Sequence, residues 1–163
     1  QVLAFDCNGT VFDNSSISKE EMLDYINQLK QKPWKPLELS YSFLGMIAHP
    51  DSFEGLERLR ERYRVVTCSN FPLTLLNLLS QGSDIDWDAI IPLEASQAYK
   101  PEVKAYHTVC KVLQVEPYNV TVVSAHADGP DVKGAPNAGM NFQLIRNEGY
   151  PATIIELAEQ LGC

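Results

Sequence analysis

Residues 1–13 read QVLAFDCNGTVFD, and the fold turns on how this stretch is parsed. An apolar run from Val2 to Phe5 stops at Asp6, with Gly9 and Thr10 close behind. A short apolar run bounded by turn residues marks a strand covered on both faces, since such a strand has no solvent side to alternate with. The strand hands a carboxylate to a tight turn, where Gly9 lets the backbone bend and turn N–H groups toward an anion.

Two runs of the same kind follow, RVVTC at 64–68 and VTVV at 120–123, ending at Ser69 and Ser124. Shorter strands are expected at 89–92 and 142–145. Helical patterns fill the intervals. One starts at Ser18 with Glu20 and Glu21, carries Met22, Tyr25, Ile26 and Leu29, and ends at Pro33 and Pro36. Others cover 52–63, the residues after Pro72, those from near Pro101, a short piece at 136–140, and 154–161. Strands alternating with helices predict an α/β fold: an open, mostly parallel, Rossmann-like sheet with helices on both faces, whose ligands lie beyond the carboxyl ends of the strands. Residues 1–13 and 50–163 make the core domain, and 14–49 a reduced helical cap insertion. Trp34, Tyr41 and Phe43 either pack that insertion onto the body or, if exposed, mark a surface that a second copy completes as a homodimer.

A chain of 163 residues with 45% apolar residues can bury a core without metal or disulfide help. The net charge of -8 offers no basic footprint, which argues against nucleic acid but leaves a small anionic substrate open, because a few local cations outweigh a distant net charge. No apolar run spans a membrane and no signal segment is visible, so a cytoplasmic location is expected. Gln1 leads directly into the first strand, as expected of a trimmed N-terminus. Cys7, Cys68, Cys110 and Cys163 are too widely spaced for a paired metal motif and read as ordinary thiols. The sequons at Asn8, Asn14 and Asn119 read as chance matches, Asn8 being inside the site turn.

Asp6 is the candidate nucleophile: a carboxylate can form an ester that water later hydrolyses, dividing one hard displacement into two steps. Thr10 and Ser69 can donate hydroxyl hydrogen bonds to a bound anion or cap their helices, and Asn70 can orient substrate or shape its turn. Lys100, just before Pro101, can neutralise charge near Asp6. Asp131 can hold Lys100, orient water or bind magnesium with Asp6, with Asp128 a rival for that work. His126 can relay a proton or activate water.

Taken in order, FDCNGTVFD, TCSN, AYKP and DVKGAPNAGM make the chain similar to the hydrolases of the haloacid dehalogenase superfamily. That resemblance implies Asp6 as nucleophile, Ser69 as the second-motif hydroxyl, Lys100 as the third-motif lysine and Asp131 as the fourth-motif acid. Phosphatases of the superfamily place a second aspartate where this chain has Asn8, whose amide exchanges no proton with a leaving alcohol. Their magnesium uses the backbone carbonyl there, so the implied metal donors are Asp6, Asn8 and Asp131. A halide needs no protonation to leave. WDAIIPLEASQAYKPEVKAY, the pair Ser69 and Asn70, and FQLIRNEGYP with Arg146 and Asn147 resemble the two-haloacid dehalogenases.

The implied activity is cofactor-free, dehalogenase-like hydrolysis of a small haloacid, with Asn70, Thr10 and Asn8 at the substrate and His126 or Asp131 at the water. Its alternatives are a magnesium-dependent phosphatase in which His126 replaces the missing acid, and an inactive member that binds a metabolite or protein. The chain departs from the dehalogenase pattern in lacking a tyrosine at Asn8, in its longer SAHADGPD loop, and in a short cap without an arginine for the substrate carboxylate.

Overall fold

The computed structural model describes residues 1–163. Strand β1 (Val2–Phe5) lies inside a four-stranded parallel sheet, between β4 (Arg64–Thr67) and β5 (Val120–Ser124), with β6 (Asn141–Leu144) outside β5. Phe5 is level with Thr67 on one side and Val123 on the other, so the three apolar runs end together. Alternate residues serve opposite faces. Leu3, Phe5, Val65 and Val123 meet helices α2 (Ser52–Arg60), α3 (Leu73–Gly82) and α6 (Ile154–Gln160), whereas Val2, Ala4, Val66 and Val122 meet α4 (Val103–Leu113) and α5 (Asp131–Asn137). The expected α/β architecture, parallel and covered on both faces, is what forms. No helix is long and apolar enough to cross a membrane.

Residues between the first turn and α2 rise from a small antiparallel clasp of β2 (Phe12–Asp13) and β3 (Ile47–Ala48). Within them, α1 (Lys19–Leu29) starts at a capping box: the Ser18 hydroxyl accepts from the Glu21 N–H at 3.1 Å while the Glu21 carboxylate returns to Ser18. This segment has no core of its own. Tyr25 and Phe43 are buried against Phe71 of the body, with ring centroids 5.6 and 5.9 Å away. Trp34 leans on Tyr99 at 5.8 Å. Of the three aromatics that would mark a surface for a second copy, only Tyr41 is fully exposed.

Two local expectations are corrected. Residues 89–92 form no strand: Ala89 makes a single bridge to Val66, and the chain turns into a short 3-10 helix at Leu93–Ser96. Pro92 has no N–H to give a ladder, and the Thr67 hydroxyl takes the Ile91 N–H instead. The short helix expected at 136–140 begins earlier, as α5, and ends before Ala138. Pro136 is tolerated near its end, while Asp131 becomes its first residue.

Gly55 marks a close helix contact. A Cβ there would sit 2.6 Å from Ile154 Cγ2 and 2.8 Å from its carbonyl carbon, so α2 and α6 meet only because that side chain is missing. Gly55→Ala is therefore expected to lower stability by about 1–2 kcal/mol, overpacking outweighing the better helix propensity of alanine. A urea midpoint equal to or above that of the parent would contradict this.

Candidate active site

Level strand ends place the residues that follow them side by side. The Asp6 N–H donates to the Val123 carbonyl at 2.9 Å, and the Cys68 N–H to the Phe5 carbonyl at 2.8 Å. Asp6 thus leaves the sheet flanked by Ser124 and Cys68. Its Oδ2 accepts from the Thr10 hydroxyl at 3.0 Å and the Ser124 hydroxyl at 3.1 Å. Its Oδ1 meets only Lys100 Nζ, at 3.3 Å. One oxygen is held and the other faces a single, longer contact.

Lys100 is buried, and three acceptors surround its ammonium: the Cys68 carbonyl at 2.7 Å, Asp131 Oδ2 at 3.0 Å and Asp6 Oδ1. Burial alone would lower its pKa, but Asp131 and then Asp6 outweigh that and hold it well above the ordinary lysine value. Asn70 fixes the backbone here, its carbonyl accepting the Lys100 N–H at 2.8 Å. Asp131 is 1% exposed, and its second oxygen accepts from the Tyr106 hydroxyl at 2.8 Å. Burial pushes its carboxyl up, with Lys100 pulling the other way. Burial raises Cys68 to about 12 and lifts Cys7 well above the usual thiol range, so both stay protonated; all four cysteines are free.

His126 reaches over the first turn. Its Nε2 lies 2.6 Å from the Asn8 carbonyl and 3.5 Å from Asp6 Oδ2. A carbonyl only accepts, so Nε2 is the protonated nitrogen and the ring presents a donor to Asp6. Gly9 (φ +77°) makes room for it: a Cβ there would come within 3.0 Å of the ring. The Asn8 side chain accepts from Asn14 at 3.0 Å.

A cavity of about 550 Å³ opens over this group, with Asp6, Asn8, Asn70, Lys100 and His126 at its base. Met22, Tyr25, Ile26 and Leu29 of α1 form its apolar wall. Three of the expected residues, Thr10, Ser69 and Asp131, do not reach it. Thr10 is fully buried, donating to Asp6 and accepting the Ala125 N–H at 2.9 Å, so its hydroxyl is engaged within the protein and lies outside the cavity. Ser69 is also buried, and its hydroxyl accepts the Phe71 N–H at 3.2 Å in a local turn. Asp128 lines the cavity but makes no ion pair. Ser124, Tyr106 and Asn14 join the site without having been singled out for it. Ser124 was legible as the residue ending a buried strand, whereas nothing local marked Asn14.

The donors implied for magnesium do not fit it. Both Asp131 oxygens are taken by Lys100 and Tyr106, the Asn8 carbonyl faces the His126 N–H, and no cluster of three metal-ligating side chains forms. A hard dication needs several oxygens converging on one point, and an N–H stands where they would converge.

No family model matches the chain. It is 28% identical over 121 residues to the (S)-2-haloacid dehalogenase of Xanthobacter autotrophicus, a match covering 74% of this chain but 47% of that enzyme, about half its length. The fold superposes on a defluorinating L-2-haloacid dehalogenase with a TM-score of 0.85 at 18% identity, over 100% of this chain and 95% of that one. The Xanthobacter autotrophicus enzyme with chloropropionic acid covalently bound gives 0.75 at 20% identity over 91% and 78%. A phosphatase of the same superfamily from Thermococcus onnurineus gives 0.70 at 23% identity over 99% and 97%. At these identities the structural likeness establishes the fold, and the motif resemblance to the two-haloacid dehalogenase branch agrees with the curated relative.

Arg146 ties the first turn to α2 and α6. Its Nε donates to the Thr10 carbonyl, its two terminal nitrogens each donate to Asp51 at 3.0 Å, and Asp51 also accepts the Ile154 N–H at 2.7 Å. Burial would raise the Asp51 carboxyl, but Arg146 and the Ile154 N–H hold it below the ordinary value. A depressed folded pKa means stability present above the unfolded carboxyl value of about 3.9 and lost as pH falls through the folded one. Asp51→Asn is expected to cost about 2 kcal/mol at pH 7 and to remove that part of the acid loss. Denaturant titrations of both proteins between pH 7 and 3 check it; parallel curves would contradict the assignment.

Proposed function

We propose that the chain is a hydrolase that displaces halide from a small haloacid by attack of Asp6, with residues 14–49 as a reduced cap over the reaction. The observation that carries this reading is the unequal treatment of the two Asp6 oxygens. Thr10 and Ser124 fix Oδ2, and Oδ1 is left beside Lys100 at the base of the cavity. A nucleophile held mainly through one oxygen leaves the other with a single, longer hydrogen bond from Lys100 and with lone pairs free for the electrophile.

In the first step an Asp6 oxygen forms a bond to the carbon bearing the halogen, and the halide departs with the bonding electron pair. No proton is required, which suits a turn that offers Asn8 where a proton donor would otherwise stand. Forming the ester removes the Asp6 charge, but Lys100 keeps Asp131 as its partner, so no buried ammonium is stranded midway. In the second step water adds to the ester carbonyl carbon and gives up one proton to a base; the bond from that carbon to the substrate oxygen breaks, the alkoxide takes up this proton and leaves as a hydroxy acid, and the second water proton is released as the carboxylate is regenerated.

The water must lose a proton. Asp131 is sealed away with both oxygens engaged, whereas His126 lines the cavity within 3.5 Å of Asp6. The imidazole is assigned this role, with the proton carried on Nδ1 once Nε2 lets go of the Asn8 carbonyl. Asn70 acts through the Lys100 backbone and at the cavity wall. The apolar α1 face suits the body of the substrate.

Halide release from 2-chloropropionate measures the first step. Asp6→Asn is expected to reduce it by about 10³-fold or more, and undiminished release would overturn Asp6 as nucleophile. His126→Gln separates the two halves. It should form the ester yet hydrolyse it roughly 10²–10⁴-fold more slowly, so that intact-mass spectrometry finds enzyme heavier by the 1-carboxyethyl group taken from the substrate. Slow turnover with no such adduct would place His126 elsewhere in the reaction.

A further inference from the structure

The cavity contains one cation that nothing in the protein uses. Lys30 follows the last turn of α1 and lines the same cavity as Asp6 and His126. It also lines a smaller one of about 280 Å³ next door, sharing Leu29, Lys100 and Pro101 with it. Lys30 is absent from every ion pair in the protein. The other nitrogen donors named at the cavity are spent: Lys100 has three acceptors of its own, and the His126 N–H faces the Asn8 carbonyl.

We propose that Lys30 recognises the anionic group of the substrate, with the apolar α1 face holding the body that joins this group to the carbon attacked by Asp6. The proposal rests on the hydrolase reading for the identity of the attacked carbon, and on the cavity alone for the recognition of an anion. Two further observations support it. First, the charge balance needs it. Asp6 and Asp128 both line the cavity of a chain with a net charge of -8, and Lys100 answers only the first of them. An anion entering beside two carboxylates is repelled unless a second cation is present.

Second, Lys30 is carried on an anchored piece of chain. Just beyond it the Lys32 ammonium pairs with Glu102 at the head of α4, the Tyr99 hydroxyl donates to the Lys35 carbonyl, and the Trp34 ring rests on Tyr99. These contacts pin the end of α1 to the body beside Lys100. The ammonium therefore swings from a fixed root, which reduces the ordering cost of binding. Residues 14–49 contain no arginine, and of their lysines Lys30 alone lines the main cavity.

The test compares Lys30→Gln, Lys30→Glu and Lys30→Arg with the parent in two assays. The first is binding of propionate, an unreactive carboxylate, followed by ligand-observed NMR. The second is turnover of 2-chloropropionate beside its neutral analogue 2-chloropropionamide. Lys30→Gln should weaken propionate binding and raise KM for 2-chloropropionate by roughly 10-fold, with kcat changed by less than about threefold. Lys30→Glu should be worse, Lys30→Arg close to the parent, and the amide indifferent to all three. Unchanged propionate affinity in Lys30→Gln, an equal loss for the amide, or a parent that does not bind propionate would each overturn the proposal. Turnover absent from every protein, with propionate binding still governed by the charge at 30, would overturn the hydrolase reading and leave Lys30 as an anion site.

Discussion

A buried ammonium is the constraint on which the rest depends. Taking a lysine head out of water costs several kcal/mol, and the interior repays it only with closely placed acceptors of opposite charge. Lys100 finds three: a carbonyl at the end of β4, a carboxylate at the end of β1 and another at the start of α5. Those groups are distant in sequence and meet only if β1 and β4 are in register and α5 begins at Asp131. The same cation that would steady charge during reaction therefore also tests whether the sheet has closed correctly.

What surrounds Lys100 then limits what Asp131 can do. With one oxygen on Lys100 and the other on Tyr106, it is a fixed counter-charge rather than a mobile base or a metal ligand. Gly134 belongs to the same arrangement, since a Cβ there would fall 2.4 Å from the Tyr106 hydroxyl. The tyrosine reaches Asp131 only across a bare turn of helix. The site is thus built in layers, with Asp131 and Tyr106 beneath Lys100 and Lys100 beneath Asp6. Of Asp6 and Asp131, only Asp6 lines the cavity.

The parts of this that were legible in the sequence were those written in consecutive residues. Val2 to Phe5, the run at 64–68 and the run at 120–123 announced the three adjoining strands, and the residues ending them announced the site. Which alternate residue serves which face was not legible, because a strand covered on both sides leaves no polar alternation to read. The expected strand at 89–92 failed for a different reason. Its apolar residues fill the body, but Pro92 and the Thr67 hydroxyl divert the backbone bonds that a ladder would need. Thr10 does bond to Asp6, whereas the Ser69 hydroxyl caps its own turn; whether each faces the cavity or backbone depends on partners such as Ala125 and Phe71 that spacing does not identify.

The short insertion shows how a segment can wall a cavity without a core of its own. A separate cap domain would need enough buried surface to fold alone, which 36 residues scarcely supply by composition. Here Tyr25 and Phe43 are inserted beside Phe71 in the main core, and the β2–β3 clasp ties the two ends together, so the insertion borrows its stability from the body. That borrowing has a geometric consequence. Because α1 is anchored through Tyr25 at its middle and through Trp34 and Lys32 beyond its end, the face carrying Met22, Ile26 and Leu29 is held at one distance from Asp6. Larger hinged caps can select substrates by closing on them. A segment packed into the core instead presents a fixed shape and charge, set by the residues already lining the space beneath it.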